Sequence, residues 1–407
     1  MDISIQKSKL YNHQEIKITG SKSESNRLLL LQALYPQINI NNLSNSDDSV
    51  LMQKALATKE SIIDIHHAGT AMRFLTAYLA TQNGEEVVIT GSSRMKERPI
   101  KILVDALLSL GADISYVENE GFPPLKIIGK KLSKHKVSLE ANVSSQYISA
   151  LLLIASKLDN GLELTLNGKI TSVPYIKMTL SLLNEIGVET SFVENKITVK
   201  PNTTKLLPQT LVVESDWSSA SYFYSIIALS DIGTEITISS YKKHSLQGDS
   251  VLAKIYQSFG VATHFDAHSI RLVKVEEAQT SNLEFHLSDA PDIAQTIAVT
   301  AFGLGVECYM TGLHTLKIKE TDRLVALKVE LEKLGAEIDI TEASLKVNAS
   351  KEIKSDISIN TYNDHRMAMA FAPLGLKTSI IIKNADVVSK SYPQFWEDFK
   401  EIGFNLK

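Results

Sequence analysis

The segment "GSKSESNR" (20–27) places Lys22 and Arg27 among three serine hydroxyls and one asparagine amide, directly ahead of an apolar run. Ser21 and Glu24 have the spacing of a capping box, which predicts a helix with Lys22 at its first position. A helix N-terminus presents unpaired N–H groups and a partial positive charge, so added cations are unfavourable there unless an anion binds. Taken alone, the segment is explained more simply as a solvated first turn than as an anion site.

The same arrangement recurs at five further expected helix starts, where serines, threonines or cations precede or open an apolar segment. These are "HAGTAMRFL" (67–75), "GSSRMKERPI" (91–100), "VSSQYISALLLIA" (143–155), "KIKETDRL" (317–324) and "YNDHRMAMAF" (362–371). The whole chain has a net charge of −4, so these cations are a local feature and not a consequence of composition. The pattern predicts a small ligand with several negative charges, such as phosphates and carboxylates.

Two acids accompany the cations. Asp292 lies in the apolar segment "SDAPDIAQTIAVTAF", and Glu320 lies between Lys319 and Arg323. A carboxylate surrounded by cations has a lowered pKa and stays ionised. On the sequence alone, each acid is equally well explained as a structural ion pair or as a group that transfers a proton.

The composition, with 44% apolar and 22% charged residues among 407, is that of an ordinary globular protein. The single cysteine, Cys308, excludes an internal disulfide framework and a cysteine-based metal site. The net charge does not favour nucleic acid or membrane as a partner, and no apolar run approaches the roughly 20 residues that span a bilayer. The first residues lack the apolar core of a signal peptide. We therefore expect a soluble cytoplasmic protein.

Motifs of several common enzyme classes are absent from the sequence. There is no G-x-x-x-x-G-K-[ST] phosphate loop, no G-x-G-x-x-G dinucleotide loop, no H-E-x-x-H zinc motif and no G-x-S-x-G nucleophile elbow. We therefore expect phosphate chemistry without a nucleotide loop.

A helix–glycine–strand pattern recurs along the chain at intervals of 68 to 76 residues. Apolar residues follow a helical period before each glycine and alternate, as in a strand, after it. A glycine at this point ends a helix by adopting the left-handed conformation. The five glycines are Gly111, Gly187, Gly260, Gly335 and Gly403. A sixth, degenerate copy without the glycine is expected near 47–65, so the chain is predicted to contain two sets of three α/β modules, with a crossover within 201–221.

Eight short motifs follow one another between residues 20 and 393: "GSKSESNR", "AGTAMR", "RMKERP", "SSQ", "VPY", "KETDR", "NDHRMAM" and "KSYP". In this order they resemble the signatures of the 5-enolpyruvylshikimate-3-phosphate synthase family, over essentially the whole chain. The resemblance implies an α/β (α+β) fold of two domains, each with three βαβαββ units around a pseudo-threefold axis. It implies a discontinuous domain of residues 1–20 plus 215–407 and an inserted domain of residues 21–214. The active site is expected in the cleft between the domains.

The resemblance also implies a reaction, in which the enolpyruvyl group of phosphoenolpyruvate moves to the 5-hydroxyl of shikimate 3-phosphate through a tetrahedral intermediate. Asp292 is expected to accept the hydroxyl proton and Glu320 to handle the methylene proton, while Lys22 and His365 assist. The residues expected to bind shikimate 3-phosphate are Lys22, Ser23, Arg27, Ser144, Ser145, Gln146, Ser172, Tyr175, Asp292 and Lys319. Those expected to bind phosphoenolpyruvate are Lys22, Gly69, Arg98, Gln146, Arg323, Arg366 and Lys390. No metal or cofactor is implied, and the chain is expected to be a monomer.

Three positions depart from the family pattern. His67 stands where the family usually has asparagine, and Phe74 stands where proline is frequent. Thr315 occupies the place of an asparagine that commonly contacts the shikimate phosphate ligand. These changes bear on affinity and on sensitivity to glyphosate, for which Gly69 leaves room beside phosphoenolpyruvate, more than on the type of reaction.

Three alternatives remain. UDP-N-acetylglucosamine enolpyruvyl transferases share the fold and chemistry but commonly use a loop cysteine as an acid. Cys308 lies in the apolar "GVECYMTGL", where a buried small residue is the better interpretation. An RNA 3′-phosphate cyclase-like protein would need nucleotide and nucleic-acid sites that neither charge nor motifs supply. A non-catalytic phospho-metabolite binding protein would not need Lys22, Asp292 and Glu320 together.

Overall fold

A computed structural model describes residues 1–140, 144–168, 170, 173–202, 206–267, 269–280, 283–350 and 352–407. The chain divides into two compact units. The inserted unit is the continuous segment Gly20–Val213, and the split unit consists of Met1–Thr19 together with Glu214–Lys407. Each unit encloses a hydrophobic core of its own.

The strands of the described residues are, in chain order, β1 (Ile3–Ile5), β2 (Gln14–Ile16), β3 (Ile38–Asn41), β4 (Ile62–Asp64), β5 (Glu86–Thr90), β6 (Asp113–Tyr116), β7 (Leu125–Ile128), β8 (Lys136–Glu140), β9 (Leu162–Asn167), β10 (Thr190–Val193), β11 (Lys196–Val199), β12 (Gln209–Val212), β13 (Glu235–Ser239), β14 (Val261–Phe265), β15 (Ser269–Lys274), β16 (Leu283–His286), β17 (Cys308–Thr311), β18 (Ile338–Ile340), β19 (Ser344–Val347), β20 (Ile357–Ile359) and β21 (Ile380–Ile382).

The α-helices of the same residues are α1 (Lys22–Leu34), α2 (Asp47–Ala57), α3 (Gly69–Ala80), α4 (Ser93–Lys96), α5 (Lys101–Leu110), α6 (Ser145–Ala155), α7 (Val173–Glu185), α8 (Trp217–Leu229), α9 (Leu252–Ile255), α10 (Ala294–Leu304), α11 (Arg323–Lys333), α12 (His365–Phe371) and α13 (Phe395–Glu401). Short 3₁₀ helices cover Gly248–Val251, Tyr256–Phe259, Pro291–Ile293, His314–Ile318, Ala372–Leu376 and Ala385–Lys390. Among the described residues, no helix has the length and apolar character needed to cross a bilayer.

Four sheets share one topology. Their strand orders are β4-β5-β7-β6, β8-β9-β11-β10, β2-β13-β15-β14 and β16-β17-β19-β18. In each, the first two strands pair in parallel and a hairpin then adds antiparallel to the second strand. Helices precede and follow the second strand, so each module follows the expected βαβαββ order. The mixed α/β architecture confirms the predicted fold class.

Two smaller sheets join strands that lie far apart in the sequence. In the inserted unit β3 pairs in parallel with β12, which lies about 170 residues further along the chain. In the split unit β21 pairs with β20 and with β1, so the first strand of the chain completes its last module. The expected sixth copy near 47–65 is therefore incomplete: α2 has no hairpin after it, and the strand that follows, β4, belongs to the next sheet.

The five repeated glycines adopt positive φ angles, as predicted. Their φ values are +104° at Gly111, +84° at Gly187, +77° at Gly260, +103° at Gly335 and +112° at Gly403. Because the left-handed conformation is strained for other residues, glycine at this point reverses the chain from a helix to the strand that follows it. The incomplete copy has no such glycine, and α2 instead ends in an extended Thr58.

Candidate active site

The start of α1 lies where the sequence predicts it, but its capping box does not form. Lys22 is the first helical residue and Ser21 is the N-cap, yet the Ser21 side chain makes no capping hydrogen bond. Ser21 is almost fully buried, whereas Lys22 and Ser23 remain half-buried. In the described part of the chain, the Lys22 ammonium has neither an ion pair nor a hydrogen-bond partner. The first turn of α1 therefore leaves a cation available to a ligand.

Arg27 is buried one turn into α1 and is held by neutral groups. Its guanidinium donates to the hydroxyls of Thr179 (2.8 Å) and Ser149 (2.9 Å) and to the carbonyls of Ser23 (2.6 Å) and Tyr175 (3.4 Å). Burial lowers the pKa of Arg27 to about 10, which still leaves it charged at neutral pH. Its acceptors are hydroxyls and carbonyls, so the positive charge is positioned without being neutralised by contact with a carboxylate.

Phe74 supports this arginine. It is fully buried in α3, and the Arg27 guanidinium carbon lies 5.4 Å from the centre of its ring. The Tyr175 ring lies 5.9 Å from the same carbon. Cation–π contacts of this kind stabilise a desolvated guanidinium. The departure at Phe74 therefore adds an aromatic surface behind Arg27.

Gly69 opens α3 and is packed directly against Arg98. A Cβ placed on Gly69 would lie 2.4 Å from Arg98 Nη1 and 3.0 Å from its Cζ. Buried Arg73 holds the two segments together, because it donates to the carbonyls of Gly69 (3.0 Å) and Pro99 (3.1 Å). The lack of a side chain at Gly69 thus determines where the Arg98 guanidinium lies.

Sequence reasoning did not assign Arg73 to the site. Burial, followed by the nearby charge of Arg98, lowers the pKa of Arg73 to about 10. Its role as a link between the "AGTAMR" and "RMKERP" motifs depends on a tertiary contact, and the only sequence signal was its place within the first of them.

The start of α6 connects to the start of α3. Ser144 is the N-cap of α6 and its hydroxyl accepts from the Gln146 N–H, while Ser145 is the buried first residue of the helix. The Gln146 side chain donates to Thr70 Oγ at 3.2 Å. Tyr175 lies in α7 and contacts Arg27 as described above. Ser172, the remaining residue expected to bind shikimate 3-phosphate in this unit, lies outside the described residues.

In the inserted unit these helix starts therefore present cations that carboxylates do not neutralise directly. Lys22, Arg27, Arg73 and Arg98 make no ion pair within the described residues. A desolvated or half-buried cation without a carboxylate partner is unfavourable unless an anion binds. This arrangement is suited to a ligand with more than one phosphate or carboxylate group.

In the split unit the cations are paired, which differs from the expected excess of positive charge at every helix start. Asp292 Oδ1 lies 2.8 Å from Arg323 Nη1 and 3.3 Å from Lys319 Nζ, and its Oδ2 lies 3.2 Å from Arg366 Nη2. Burial by itself raises the pKa of Asp292, but Arg366, Lys319 and Arg323 outweigh it and hold the pKa well below its usual range. The carboxylate is therefore ionised and shared among three cations.

Arg323 is the first residue of α11 and holds three carboxylates. Besides Asp292, its Nη2 lies 2.9 Å from Glu320 Oε2 and its Nε lies 2.6 Å from Asp364 Oδ2. Burial by itself lowers the pKa of Arg323, but these three acids raise it above its usual value. Asp364 also caps α12, accepting the Arg366 N–H at 2.9 Å. One arginine thus fixes Asp292, Glu320 and the start of α12 together.

The other expected residues of this unit lie around the same segment. His365 is buried at the start of α12, with Nδ1 3.9 Å from Asp364 Oδ1. Lys390 donates to the carbonyl of Asn363 at 2.6 Å. Asp364 is the N-cap of α12, and sequence reasoning missed its direct contact with Arg323.

The other two departures from the family pattern are His67 and Thr315. His67 Nδ1 lies 2.8 Å from His66 Nδ1, and His67 Nε2 lies 3.6 Å from Asp47 Oδ2, so this histidine links the starts of α2 and α3. The Thr315 hydroxyl is buried and has no hydrogen-bond partner among the described residues. It lies in the 3₁₀ helix that leads to Lys319.

Cys308 occupies a core strand. It is fully buried in β17, and burial raises the pKa of its thiol to about 12. The prediction of a buried small residue is confirmed. Within the described residues, no group of three or more histidine, cysteine, aspartate or glutamate side chains is arranged to hold a metal ion.

Comparison with known proteins gives a consistent result. Residues 52–399 match the model of the family described as EPSP synthase (3-phosphoshikimate 1-carboxyvinyltransferase). The 3-phosphoshikimate 1-carboxyvinyltransferase of Bacteroides fragilis is 48% identical over 96% of both chains. That of Haemophilus influenzae is 36% identical over 95% of this chain and 96% of its own.

Solved structures show the same fold. An EPSP synthase from Acinetobacter baumannii superposes with a TM-score of 0.81 at 21% identity, covering 100% of this chain and 99% of the other. The enolpyruvyl transferase NikO from Streptomyces tendae gives a TM-score of 0.73 at 13% identity, covering 100% and 98%. The family match and these two relatives show that this chain belongs to the EPSP synthase (3-phosphoshikimate 1-carboxyvinyltransferase) family.

Proposed function

We propose that the chain transfers the enolpyruvyl group of phosphoenolpyruvate to the 5-hydroxyl of shikimate 3-phosphate and releases phosphate. In the addition step the 5-oxygen bonds to C2 of phosphoenolpyruvate while C3 gains a proton. In the elimination step the C2–O bond to phosphate breaks and C3 loses a proton. The reaction serves the shikimate pathway to chorismate and the aromatic amino acids, and residues of both units take part in it.

The observation that carries this proposal is the Asp292 carboxylate, which shares the three cations Lys319, Arg323 and Arg366. Without substrate these cations keep Asp292 too acidic to act as a base. When anionic groups of the substrates bind the cations, the favourable interaction with Asp292 weakens and its pKa rises. Substrate binding itself thus prepares Asp292 to accept the proton of the 5-hydroxyl.

The other roles are those that the family resemblance implies. Glu320, fixed by Arg323, handles the proton at C3, with Lys22 and His365 assisting. Shikimate 3-phosphate is bound by Lys22, Ser23, Arg27, Ser144, Ser145, Gln146, Ser172, Tyr175, Asp292 and Lys319. Phosphoenolpyruvate is bound by Lys22, Gly69, Arg98, Gln146, Arg323, Arg366 and Lys390. A carboxylate near C2 stabilises the positive charge that develops there when C3 is protonated.

The alternative acceptor, UDP-N-acetylglucosamine, is disfavoured by one observation. Cys308, the single cysteine of the chain, lies in a core strand and cannot serve as a loop acid. A purely binding role is disfavoured because a neutral side chain would leave the three cations freer to hold an anion than Asp292 does.

Phosphate release from phosphoenolpyruvate by the purified protein tests the function. It is measured with shikimate 3-phosphate, with UDP-N-acetylglucosamine and with neither. We expect release that requires shikimate 3-phosphate. Release only with the nucleotide sugar would move the chain to the alternative acceptor, and no release with either would favour a binding role.

Finer points belong to the same proposal. We propose a cytoplasmic monomer with no metal or cofactor, and size-exclusion chromatography coupled to light scattering checks the monomeric state. We also propose that glyphosate competes with phosphoenolpyruvate beside Gly69 and Arg98. His67 lies two residues before Gly69, so a His67→Asn variant measures how far this departure sets the inhibition constant.

A further inference from the structure

Arg366 has a second acceptor to which the proposed function gives no role. Its Nη2 donates to Asp292 Oδ2 at 3.2 Å and also to Ser218 Oγ at 3.2 Å. Ser218 is the second residue of α8 and belongs to none of the eight sequence motifs. The hydroxyl therefore shares with Asp292 the task of orienting this guanidinium.

Asp249 determines how Ser218 can act. A serine hydroxyl has one proton to donate and lone pairs that accept. Ser218 donates its proton to Asp249 Oδ2, so its lone pairs are left to face Arg366. Were this proton directed at Arg366 instead, two donors would oppose each other and the contact would be lost.

The position of Asp249 is itself fixed by the start of α8. The Gln247 side chain accepts the Trp217 N–H at 2.9 Å and donates to the Ser215 carbonyl at 2.9 Å. These two bonds attach residues 247–249 to the first turn of α8, which places Asp249 opposite Ser218. The pair is thus part of a built arrangement and not a chance surface contact.

Asp249 is costly as a purely structural residue. It is 3% exposed, and its Oδ1 is buried without a hydrogen-bond partner among the described residues. The partner of its Oδ2 is a neutral hydroxyl. Burying a carboxylate in this way costs more than burying a neutral side chain that makes the same bond. The favourable interaction that offsets this cost is with Arg366. Burial by itself lowers the pKa of that guanidinium, but carboxylates including Asp292 and Asp249 raise it well above its usual value.

We propose that Asp249, acting through Ser218, is a positioning residue that holds Arg366 in the orientation in which its remaining N–H groups bind phosphoenolpyruvate. This inference rests on the proposed function. It assigns no proton transfer to either residue, and neither touches the reacting atoms.

Steady-state kinetics of Ser218→Ala and Asp249→Ala test the inference. Each should raise KM for phosphoenolpyruvate about tenfold, the effect of one lost hydrogen bond to a charged group, while kcat and KM for shikimate 3-phosphate change far less. Because both act through one bond, the double variant should be no worse than either single variant. Asp249→Asn keeps an acceptor for Ser218 and should restore part of the loss.

The matched control is Ser225→Ala. Ser225 is a buried serine on the same helix whose hydroxyl accepts from Thr300 at 2.7 Å, so its loss should leave KM for phosphoenolpyruvate unchanged. Unchanged KM in both Ser218→Ala and Asp249→Ala, or additive effects in the double variant, would overturn the inference. A wild-type protein without release dependent on shikimate 3-phosphate would instead overturn the proposed function, and this inference with it.

The pH profile supplies a readout that a merely structural role would not move. Burial raises the pKa of Asp249 to about 6, and the charges that face it are Arg366, Asp292 and Asp216. Below that pH the protonated carboxyl can itself donate to Ser218, and the wild type comes to resemble Asp249→Asn. The ratio of KM for phosphoenolpyruvate between Asp249→Asn and the wild type should therefore fall toward one between pH 8 and pH 5. Ionisation of the substrate affects both proteins equally, so a ratio independent of pH would contradict the inference.

Discussion

At the scale of single residues, the two units use their cations in different ways. In the inserted unit Lys22, Arg27 and Arg98 have no ion-pair partner in the part of the chain that the structure describes. In the split unit Arg323 and Arg366 are already bound to carboxylates. An anion gains more from the first set, because it need not displace a carboxylate. In the proposed mechanism the second set couples anion binding to the pKa of Asp292.

The contact between Gly69 and Arg98 predicts a specific defect in Gly69→Ala. The added methyl would lie 2.4 Å from Arg98 Nη1, so the guanidinium must move. The moving atom is the end of a flexible side chain, so the free energy of unfolding should change by less than about 0.5 kcal/mol. KM for phosphoenolpyruvate should rise about tenfold or more, because a charge-assisted hydrogen bond is displaced.

Gly84→Ala is the matched control for this variant. Gly84 has a φ of +87° and open space around its Cβ position. The Gly84→Ala variant should lose about 1 kcal/mol of its free energy of unfolding through backbone strain, and its kcat and KM should match those of the wild type. Wild-type KM in Gly69→Ala would show that Arg98 does not bind phosphoenolpyruvate. Chemical denaturation and steady-state kinetics measure the two quantities.

Replacing Asp292 should separate binding from turnover. In Asp292→Ala the cations Lys319, Arg323 and Arg366 lose a shared acid, so binding of shikimate 3-phosphate should be kept. Turnover should fall by about 10²-fold to 10⁴-fold, the usual contribution of a positioned base. Calorimetric binding and phosphate release measure the two effects. Asp289→Ala replaces an exposed acid in the turn before the 3₁₀ helix that carries Asp292 and is the control. Comparable turnover in both variants would remove Asp292 from its role.

At the scale of elements, α11 holds the turn before α12 at two points. Arg323 at its start binds Asp364, and the fully buried Glu330 two turns later accepts from Tyr362 Oη (2.6 Å) and from the Asn360 N–H (3.1 Å). Tyr362 and Asn363 have φ values of +54° and +55°, a conformation that is strained for residues other than glycine. Glu330 therefore helps to hold the strained turn that precedes Asp364.

The contact between Glu330 and Tyr362 predicts that Tyr362→Phe impairs substrate binding. Burial and the Glu330 carboxylate raise the pKa of Tyr362 to about 12, so its hydroxyl donates at any working pH. Its loss leaves a buried carboxylate with one donor fewer and loosens the turn whose Asn363 carbonyl holds Lys390. We expect KM for phosphoenolpyruvate to rise about threefold to tenfold.

Lys333→Met is the control for Tyr362→Phe. Lys333 also donates to Glu330, at 2.6 Å, but it lies on α11 and not on the turn. Its kinetics should match the wild type. Equal effects of both variants would indicate a general loss of Glu330 stability and not a specific effect on the turn.

Local sequence signals predicted where helices begin and end, but they did not predict which sequence-distant segments pair. The five glycine caps and the helix starts at Lys22, Gly69 and Arg323 depend on a few neighbouring residues, which the sequence displays. The pairing of β3 with β12 and of β1 with β21 joins segments from distant parts of the chain, for which a single sequence carries no local signal. The same holds for Asp249 and Ser218, whose side chains meet 31 residues apart.

The capping box at Ser21 failed for a related reason. Its spacing is correct, but both Ser21 and Glu24 are buried in the folded unit, where tertiary contacts decide the side-chain conformation. A local motif predicted where the helix begins and not which hydrogen bonds its side chains make.

At the scale of the whole molecule, the inserted unit has what a domain needs to fold alone. It is one continuous segment with its own core, and its smallest sheet pairs β3 with β12 inside the same segment. The split unit instead depends on both ends of the chain, because β1 from the first residues pairs with β21 near the last. The two units are therefore unequal in their dependence on chain continuity.

We predict that a fragment of residues 20–213 folds and unfolds cooperatively. Its cations Lys22, Arg27 and Arg98 should still bind shikimate 3-phosphate, more weakly than in the whole protein and more weakly as salt concentration rises. Circular dichroism melting and titration by NMR measure these properties. A fragment without cooperative unfolding would show that the core of this unit depends on the rest of the chain.

The most direct test of the central claim follows the transferred carbon atoms. Phosphoenolpyruvate labelled with ¹³C at C2 and C3 is incubated with the protein and shikimate 3-phosphate, and the products are observed by ¹³C and ³¹P NMR. We predict that the labelled vinyl group becomes ether-linked to the 5-oxygen of shikimate 3-phosphate, with one inorganic phosphate released for each transfer. Labelled phosphoenolpyruvate that remains unchanged, or phosphate released without a label on shikimate 3-phosphate, would contradict the assignment.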